Sequence, residues 1–89
     1  SASAEDLVQR IGQAVQNAQD DLTAIKGIGE KLAVSLVNMG IRSYEQIARM
    51  DEQAYDMLDL LFPSFKGRAR RDDWAKQAKK LMNNDSLVG

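Results

Sequence analysis

The sequence predicts an all-α fold, a compact bundle of five or six short helices. Three observations carry that prediction. Apolar residues recur at spacings of three and four along most of the chain, which is the period of one helix face. No sustained apolar–polar alternation and no Asn-Gly turn occurs, so no strand signal competes. Ser and Asp residues stand where helix N-caps belong, two of them followed three positions later by Asp or Gln, in the manner of a capping box. With 89 residues, 44% hydrophobic and 28% charged, the chain makes one small domain near the lower limit for a self-sufficient core.

Ser3 with Asp6 opens the first helix, and Leu7, Ile11, Val15 and Ala18 form its apolar stripe. Gly12 weakens it by about 1 kcal/mol relative to alanine. Residues 1–19 are therefore an N-terminal helix, either part of the core or a linker helix from an upstream domain. Asp20 or Asp21 caps a short helix through Ile25, and Lys26-Gly27-Ile28-Gly29 interrupts the apolar pattern. A second helix spans Glu30 to Asn38 with Leu32, Leu36 and Val37 inward. Gly40 is placed as the residue after its C-cap, and Ile41 folds back on it. Ser43 and Gln46 make another capping box, opening a helix with Tyr44, Ile47 and Met50 on one side. Asp51 caps the next, whose face is Ala54, Met57, Leu58 and Leu61. Pro63 stops it, because the residue before proline avoids the helical region. A long helix then runs from Gly67 or Arg68 to Met82, with Trp74, Ala78 and Leu81 inward. Residues 20–82 form the main domain, and residues 83–89, without periodic pattern, form a frayed tail.

The Gly27-Ile28-Gly29 interruption bears on function. Glycines permit a tight turn and leave the backbone bare for a ligand. The helix that follows presents free N–H groups and a positive dipole end beside the turn, a ready site for phosphate. Ile28 plugs into the core while the amides beside it face outward, and Lys26 and Lys31 flank them for charge-assisted contacts. In the framework of Leu22, Ile25, Ile28, Leu32, Ala33, Leu36 and Gly40, this stretch resembles a helix-hairpin-helix motif. The resemblance implies a SAM-like helical bundle that holds DNA by its backbone without reading sequence. Lys26 stands where DNA-binding members often carry proline or a small residue. Glu30, directly after the second glycine, competes with an anion for the helix end.

Phe62-Pro63-Ser64-Phe65-Lys66-Gly67-Arg68-Ala69-Arg70-Arg71-Asp72-Asp73-Trp74 is similar to the C-terminal part of a bacterial helix-hairpin-helix subfamily. There a Phe-Lys-Gly-Arg turn precedes an Arg-Asp-Asp-Trp helix. Together the two segments extend the resemblance over about residues 20–82. Modules of this subfamily occur fused to or beside different proteins, including ribosomal and respiratory-complex subunits. Gly67 at a helix start, with Lys66, Arg68, Arg70 and Arg71 nearby, is a second candidate phosphate site. Lys76, Lys79 and Lys80 suit a helix C-terminus without any ligand.

Charge divides the chain. The formal net charge is −1, against the basic footprint usual for nucleic-acid binding. Residues 65–80 nevertheless carry seven basic residues against Asp72 and Asp73, a net +5. Residues 41–64 carry two basic residues against five acidic ones, a net −3. The expected function is a non-sequence-specific module for a nucleic-acid backbone, duplex DNA first, that forms part of a larger protein. Its contacts are Lys26, Gly27, Ile28, Gly29, Lys31, Lys66, Gly67, Arg68, Arg70 and Arg71. The alternative is a protein-interaction or assembly module that keeps the fold without nucleic-acid binding, docking through the Leu7–Ile11–Val15–Ala18 stripe.

Other classes find little support. Without cysteine or histidine, disulfides, the usual zinc ligands, the commonest general base and the strongest nucleophile are all missing. Asp20-Asp21, Asp51-Glu52 and Asp72-Asp73 suit helix caps and first turns, and adjacent carboxylates on a helix diverge by about 100°. No enzyme activity, catalytic residue, metal or cofactor is expected. Neither a membrane-spanning run nor a secretory signal is visible, which fits a cytoplasmic protein without a membrane partner. The Ser-Ala-Ser-Ala opening fits a processed protein or an excised domain, with Ser1 and Ala2 left from cloning.

Overall fold

The structure, a computed structural model, describes the backbone of residues 3–88 and the side chains of residues 3–83; Ser1 and Ala2, read as a cloning remnant, lie outside it. Six α-helices and two single 3-10 turns follow one another, with no strand among the described residues. They are α1 (Ala4–Ile11), a 3-10 turn (Leu22–Ala24), α2 (Glu30–Asn38), α3 (Tyr44–Ala48), α4 (Glu52–Leu61), a 3-10 turn (Pro63–Phe65), α5 (Arg68–Arg71) and α6 (Trp74–Val88). The all-α class and the number of helices agree with the sequence.

The helix ends form where local chemistry places them. Ser3 accepts the Asp6 N–H at 3.1 Å, and Asp51 accepts that of Ala54 at 3.0 Å. Ser43 and Gln46 complete a reciprocal capping box at α3. At the end of α2, Gly40 N–H donates to Val37 O at 3.0 Å and Ile41 N–H to Leu36 O at 2.9 Å. That pair of bonds is a Schellman closure, and it drives Ile41 into the core.

Leu7, Ile11, Ile25, Leu36, Ile41 and Ile47 are fully buried and form the centre of the core. Around them α1 packs beside α4, and α3 lies along α6. Gln46 is fully buried too, and each of its polar atoms is used. Its Oε1 accepts from Arg42 N–H, Ser43 N–H and Ser43 Oγ. Its Nε2 donates to Gly12 O at 3.0 Å and Gly40 O at 2.8 Å. A polar group so deep is tolerated only when paired in this way. It fastens the ends of α1 and α2 to the start of α3.

Four boundaries differ from the sequence reading. First, α1 stops at Ile11 rather than continuing through Val15 and Ala18. Gly12 has φ +94°, a left-handed value that ends a helix and favours glycine. Leu7, Val8 and Ile11 are core residues, whereas Val15 is 63% exposed. The stripe is therefore not one surface. Second, the first motif helix is a single 3-10 turn, capped by Asp21 through Thr23 N–H. Asp20 instead accepts the Tyr44 N–H at 2.8 Å, tying this segment to α3. Third, the long C-terminal helix is broken at Asp72–Asp73. Asp73 adopts φ +48°, which a short polar side chain tolerates, and α6 starts afresh at Trp74. Fourth, the backbone stays helical to Val88, because no glycine or proline interrupts it after Met82.

Candidate phosphate-backbone interface

The hairpin is built from two buried isoleucines. Ile28 N–H donates to Ile25 O at 3.0 Å, closing a turn over Lys26 and Gly27, and both isoleucines are in the core. Ile28 thus plugs inward as its position predicts, with Lys26 and Gly29 exposed on either side. Gly29 is the N-cap of α2, with no side chain to bond the first turn. The N–H groups of Gly27, Gly29, Glu30, Lys31 and Leu32 meet no acceptor among the described residues. Unpaired amides at a helix start are what an anion requires.

The two glycines have different reasons. Gly27 has φ +105°, and a Cβ there would stand 2.6 Å from Asp72 Oδ2, 2.8 Å from Trp74 Nε1 and 3.4 Å from Arg68 Cγ. Only glycine lets the hairpin press this closely on the α5–α6 corner. Gly29 has an ordinary φ of −86°, and a Cβ there would meet nothing within 4 Å. Neither backbone strain nor packing demands glycine at 29.

The hairpin and the α5–α6 corner therefore share one surface, and Lys26, Arg68 and Arg71 converge on Asp72. The Asp72 carboxylate is only 8% exposed and lies 2.8 Å from Arg71 Nη2. The hydrogen bond from Arg71 holds its pKa below the ordinary carboxylate value, with Lys26 and Arg68 adding to the effect. The hydrogen bond to Asp72 in turn raises the Arg71 pKa. Arg68 also stacks over the Phe65 ring, 4.8 Å from its centroid, a cation–π contact that fixes the guanidinium. Beneath Gly27 the Trp74 indole is buried, and its Nε1 has no hydrogen-bond partner.

Other basic residues point elsewhere. Arg70 bonds Glu52 at 2.7 Å and Asp56 at 2.8 Å, with Asp59 at 3.6 Å. Its charge belongs to the acidic face of α4, and the hydrogen bonds to Glu52 and then Asp56 raise its pKa. Gly67 N–H donates to Asp59 at 2.8 Å, so the amide expected to hold a second phosphate is already engaged. Lys66 lies with Asp56, Asp59, Leu60 and Pro63 around a shallow depression. Lys31 is exposed on the first turn of α2, next to Glu30. Lys26, Gly27, Arg68 and Arg71 are thus brought together around Asp72, with Ile28, Gly29 and Lys31 following in the hairpin and the start of α2. Lys66, the Gly67 amide and Arg70 lie instead against residues of α4.

Gln77 is a structural partner that the sequence did not single out. Its Oε1 accepts Lys26 N–H at 2.8 Å, and its Nε2 donates to Lys26 O at 3.1 Å and to Asp72 O at 2.7 Å. A signal existed: Gln77 falls three residues after Trp74 and one before Ala78, inside the apolar stripe of α6. Among the described residues no cluster of three or more potential ligands is placed to hold a metal ion. No helix among them is long and apolar enough to cross a membrane.

Comparison with known proteins agrees with this architecture. The profile of the RS2/RL21/YNQ2 HHH domain matches residues 22–82. An uncharacterized 22.9 kDa protein encoded in the nqo2 3′ region of Paracoccus denitrificans is 40% identical over 67 residues, 75% of this chain and 31% of that protein. Large ribosomal subunit protein bL21 of Roseobacter denitrificans is 40% identical over 62 residues, 70% of this chain and 28% of bL21. Small ribosomal subunit protein uS2 of Methylorubrum extorquens PA1 is 36% identical over 69 residues, 78% of this chain and 19% of uS2. The chain spans about a third or less of the length of these relatives. No solved structure gives a significant match. Its hairpin, its capped helices and the match across residues 22–82 make this chain a member of the RS2/RL21/YNQ2 helix-hairpin-helix domain family.

Proposed function

We propose that this domain holds a nucleic-acid backbone through its phosphates, without reading sequence, as an accessory module of a larger assembly. The observation that carries this reading is Gly29. The fold demands no glycine there, and the Gly29, Glu30, Lys31 and Leu32 amides beside it meet no acceptor among the described residues. Lys26, Arg68 and Arg71 surround the adjoining turn and supply positive charge. Duplex DNA is the ligand that the hairpin suggests. The ribosomal names of bL21 and uS2 put structured RNA beside it. Backbone contacts alone suit either. A cytoplasmic setting and a binding role rather than catalysis go with this reading.

Affinity is limited by the acids within the site. Asp72 and Glu30 offset part of the cationic charge, and Arg70 is committed to α4. Binding near the non-specific range of about 10⁻⁴ to 10⁻⁶ M is expected, falling steeply with salt as counterions are released. The test is an amide NMR titration at low salt with short DNA and RNA duplexes. Shifts concentrated at residues 26–31, 68 and 71 support the interface. Unchanged spectra with both duplexes refute it.

A second reading, a protein-assembly module, is favoured by the net charge of −1 and by the small share of each relative that the domain represents. The docking stripe expected on α1 is not its basis, since Leu7 and Ile11 are buried. A pull-down that finds no protein partner, together with measurable duplex binding, would reject it.

A further inference from the structure

We infer that Gln77 is a positioning residue, a latch that locks the glycine hairpin and the α5–α6 corner into one preformed phosphate-facing unit. Its effect on affinity rests on the functional reading above, but the latch itself is separately measurable. Two groups of residues make the site, and they are far apart in sequence. Lys26 to Lys31 belong to the hairpin, and Arg68 to Asp72 belong to the corner. Gln77 is the side chain that hydrogen-bonds the backbones of both. It pairs with both backbone groups of Lys26, N–H at 2.8 Å and C=O at 3.1 Å, as a neighbouring strand would. The same Nε2 reaches the Asp72 carbonyl at 2.7 Å, at the end of α5.

Each of these bonds has a directional consequence. Holding Lys26 N–H inward occupies the amide before the glycines, so the open amides begin at Gly27. Holding Asp72 O fixes the residue whose carboxylate lies under Gly27 and organises Lys26, Arg68 and Arg71. A ligand bridging the hairpin amides and the corner cations then pays little to order them, which is how preorganisation raises affinity. Gln77 itself carries no charge and offers no donor to the ligand, because both of its amide ends are used. It acts through Lys26 and Asp72.

The place of Gln77 on its helix sharpens the assignment. Trp74, Ala75 and Ala78 fill the buried face of α6, and an aliphatic residue at 77 would suit the stripe on packing grounds alone. An amide there supplies bonds that no aliphatic side chain can supply.

The test combines hydrogen exchange with duplex binding for the parent protein, Gln77→Leu and Gln77→Ala. In the parent, the Lys26 amide should exchange at least about tenfold more slowly than the open Gly29 amide. In both variants that protection should be lost, while core amides of α2 and α4 keep theirs. Duplex affinity at low salt should fall about three- to tenfold, as expected for losing hydrogen bonds that set geometry. The slope of log affinity against log salt should not change, because no cation has been removed. Lys26→Ala, which removes a charge, should lower that slope. Lys26 protection unchanged in the variants would overturn the latch, and protection lost with affinity intact would overturn its positioning role. Failure of the parent to bind any duplex would overturn the functional reading instead, and the exchange measurements would still decide whether Gln77 holds the hairpin. If Gln77→Ala fails to fold, Gln77→Leu and the Lys26–Gly29 contrast in the parent still decide between a latch and an idle side chain.

Discussion

Replacing each hairpin glycine by alanine should separate the fold from the site. At Gly27 the substitution meets two obstacles. Its φ of +105° costs an L-residue about 1–2 kcal/mol. The new Cβ would also come within 2.6 Å of Asp72 Oδ2 and 2.8 Å of Trp74 Nε1, and the indole belongs to the buried core. Overpacking of that kind costs about 1–3 kcal/mol. The sum, about 2–5 kcal/mol, is a large part of the roughly 5–15 kcal/mol that typically stabilises a domain. For a chain of this size it corresponds to a Tm lower by about 10 °C or more. At Gly29, with φ −86° and nothing within 4 Å of the new methyl, stability should change by less than about 1 kcal/mol, since N-cap loss and reduced unfolded-state freedom oppose each other. Its methyl would instead project into that open space, where a phosphate would approach the hairpin, and should weaken duplex binding at low salt by about threefold or more. Circular dichroism melting and a fluorescently labelled duplex titration measure the two effects. Gly27→Ala melting with the parent, or Gly29→Ala binding as tightly as the parent, would contradict this division of roles.

Three further outcomes are expected. Asp72→Asn should tighten duplex binding and steepen its salt dependence, because the carboxylate that offsets Arg71, Lys26 and Arg68 is gone; an unchanged salt slope would count against this. Arg70→Ala should leave duplex binding unaltered while lowering Tm, whereas Arg68→Ala should weaken binding, since Arg70 faces Glu52 and Asp56 rather than the hairpin. The Asp51 pKa lies well below the ordinary carboxylate value, first through the hydrogen bond from Arg10 and then through that from Ala54 N–H. The folded state therefore binds this proton less readily than the unfolded chain. Its stabilisation is full above the ordinary carboxylate value and is lost as pH falls below it. Asp51→Asn should lower Tm at neutral pH, and its difference from the parent should shrink progressively as pH falls below the ordinary carboxylate value, as thermal melts across pH would show.

Local rules made much of the fold legible. The Ser3, Asp51 and Ser43–Gln46 caps and the Gly40–Ile41 closure depend on residues a few positions apart, so their spacing encodes them. Periodicity misled where two helical phases could be joined by accident. Val15 and Ala18 continue the spacing of Leu7 and Ile11, yet Gly12 turns the chain before they can share a face. The same error fused α5 with α6, because Asp72-Asp73 reads as a helical first turn until Asp73 adopts its left-handed backbone. The site was half legible for a related reason. Gly27, Ile28 and Gly29 announce themselves, but the choice among the arginines is made by residues distant in sequence. Glu52 and Asp56 claim Arg70, Asp59 claims the Gly67 amide, and Gln77 reaches back to Lys26. Side-chain pairings of that separation leave no periodic trace.

Trp74 gives the molecule an optical reporter. It is the chain's single tryptophan, and its indole lies directly under Gly27 with its N–H unbonded. Emission from one indole at that point reports on the hairpin rather than averaging over the protein. Global unfolding will move the spectrum to the red as water reaches the ring. A displacement confined to the hairpin will alter intensity through the nearby carboxylate with little change in wavelength. The two events are distinguishable in an unlabelled sample, because the core sets its one indole against the glycine turn.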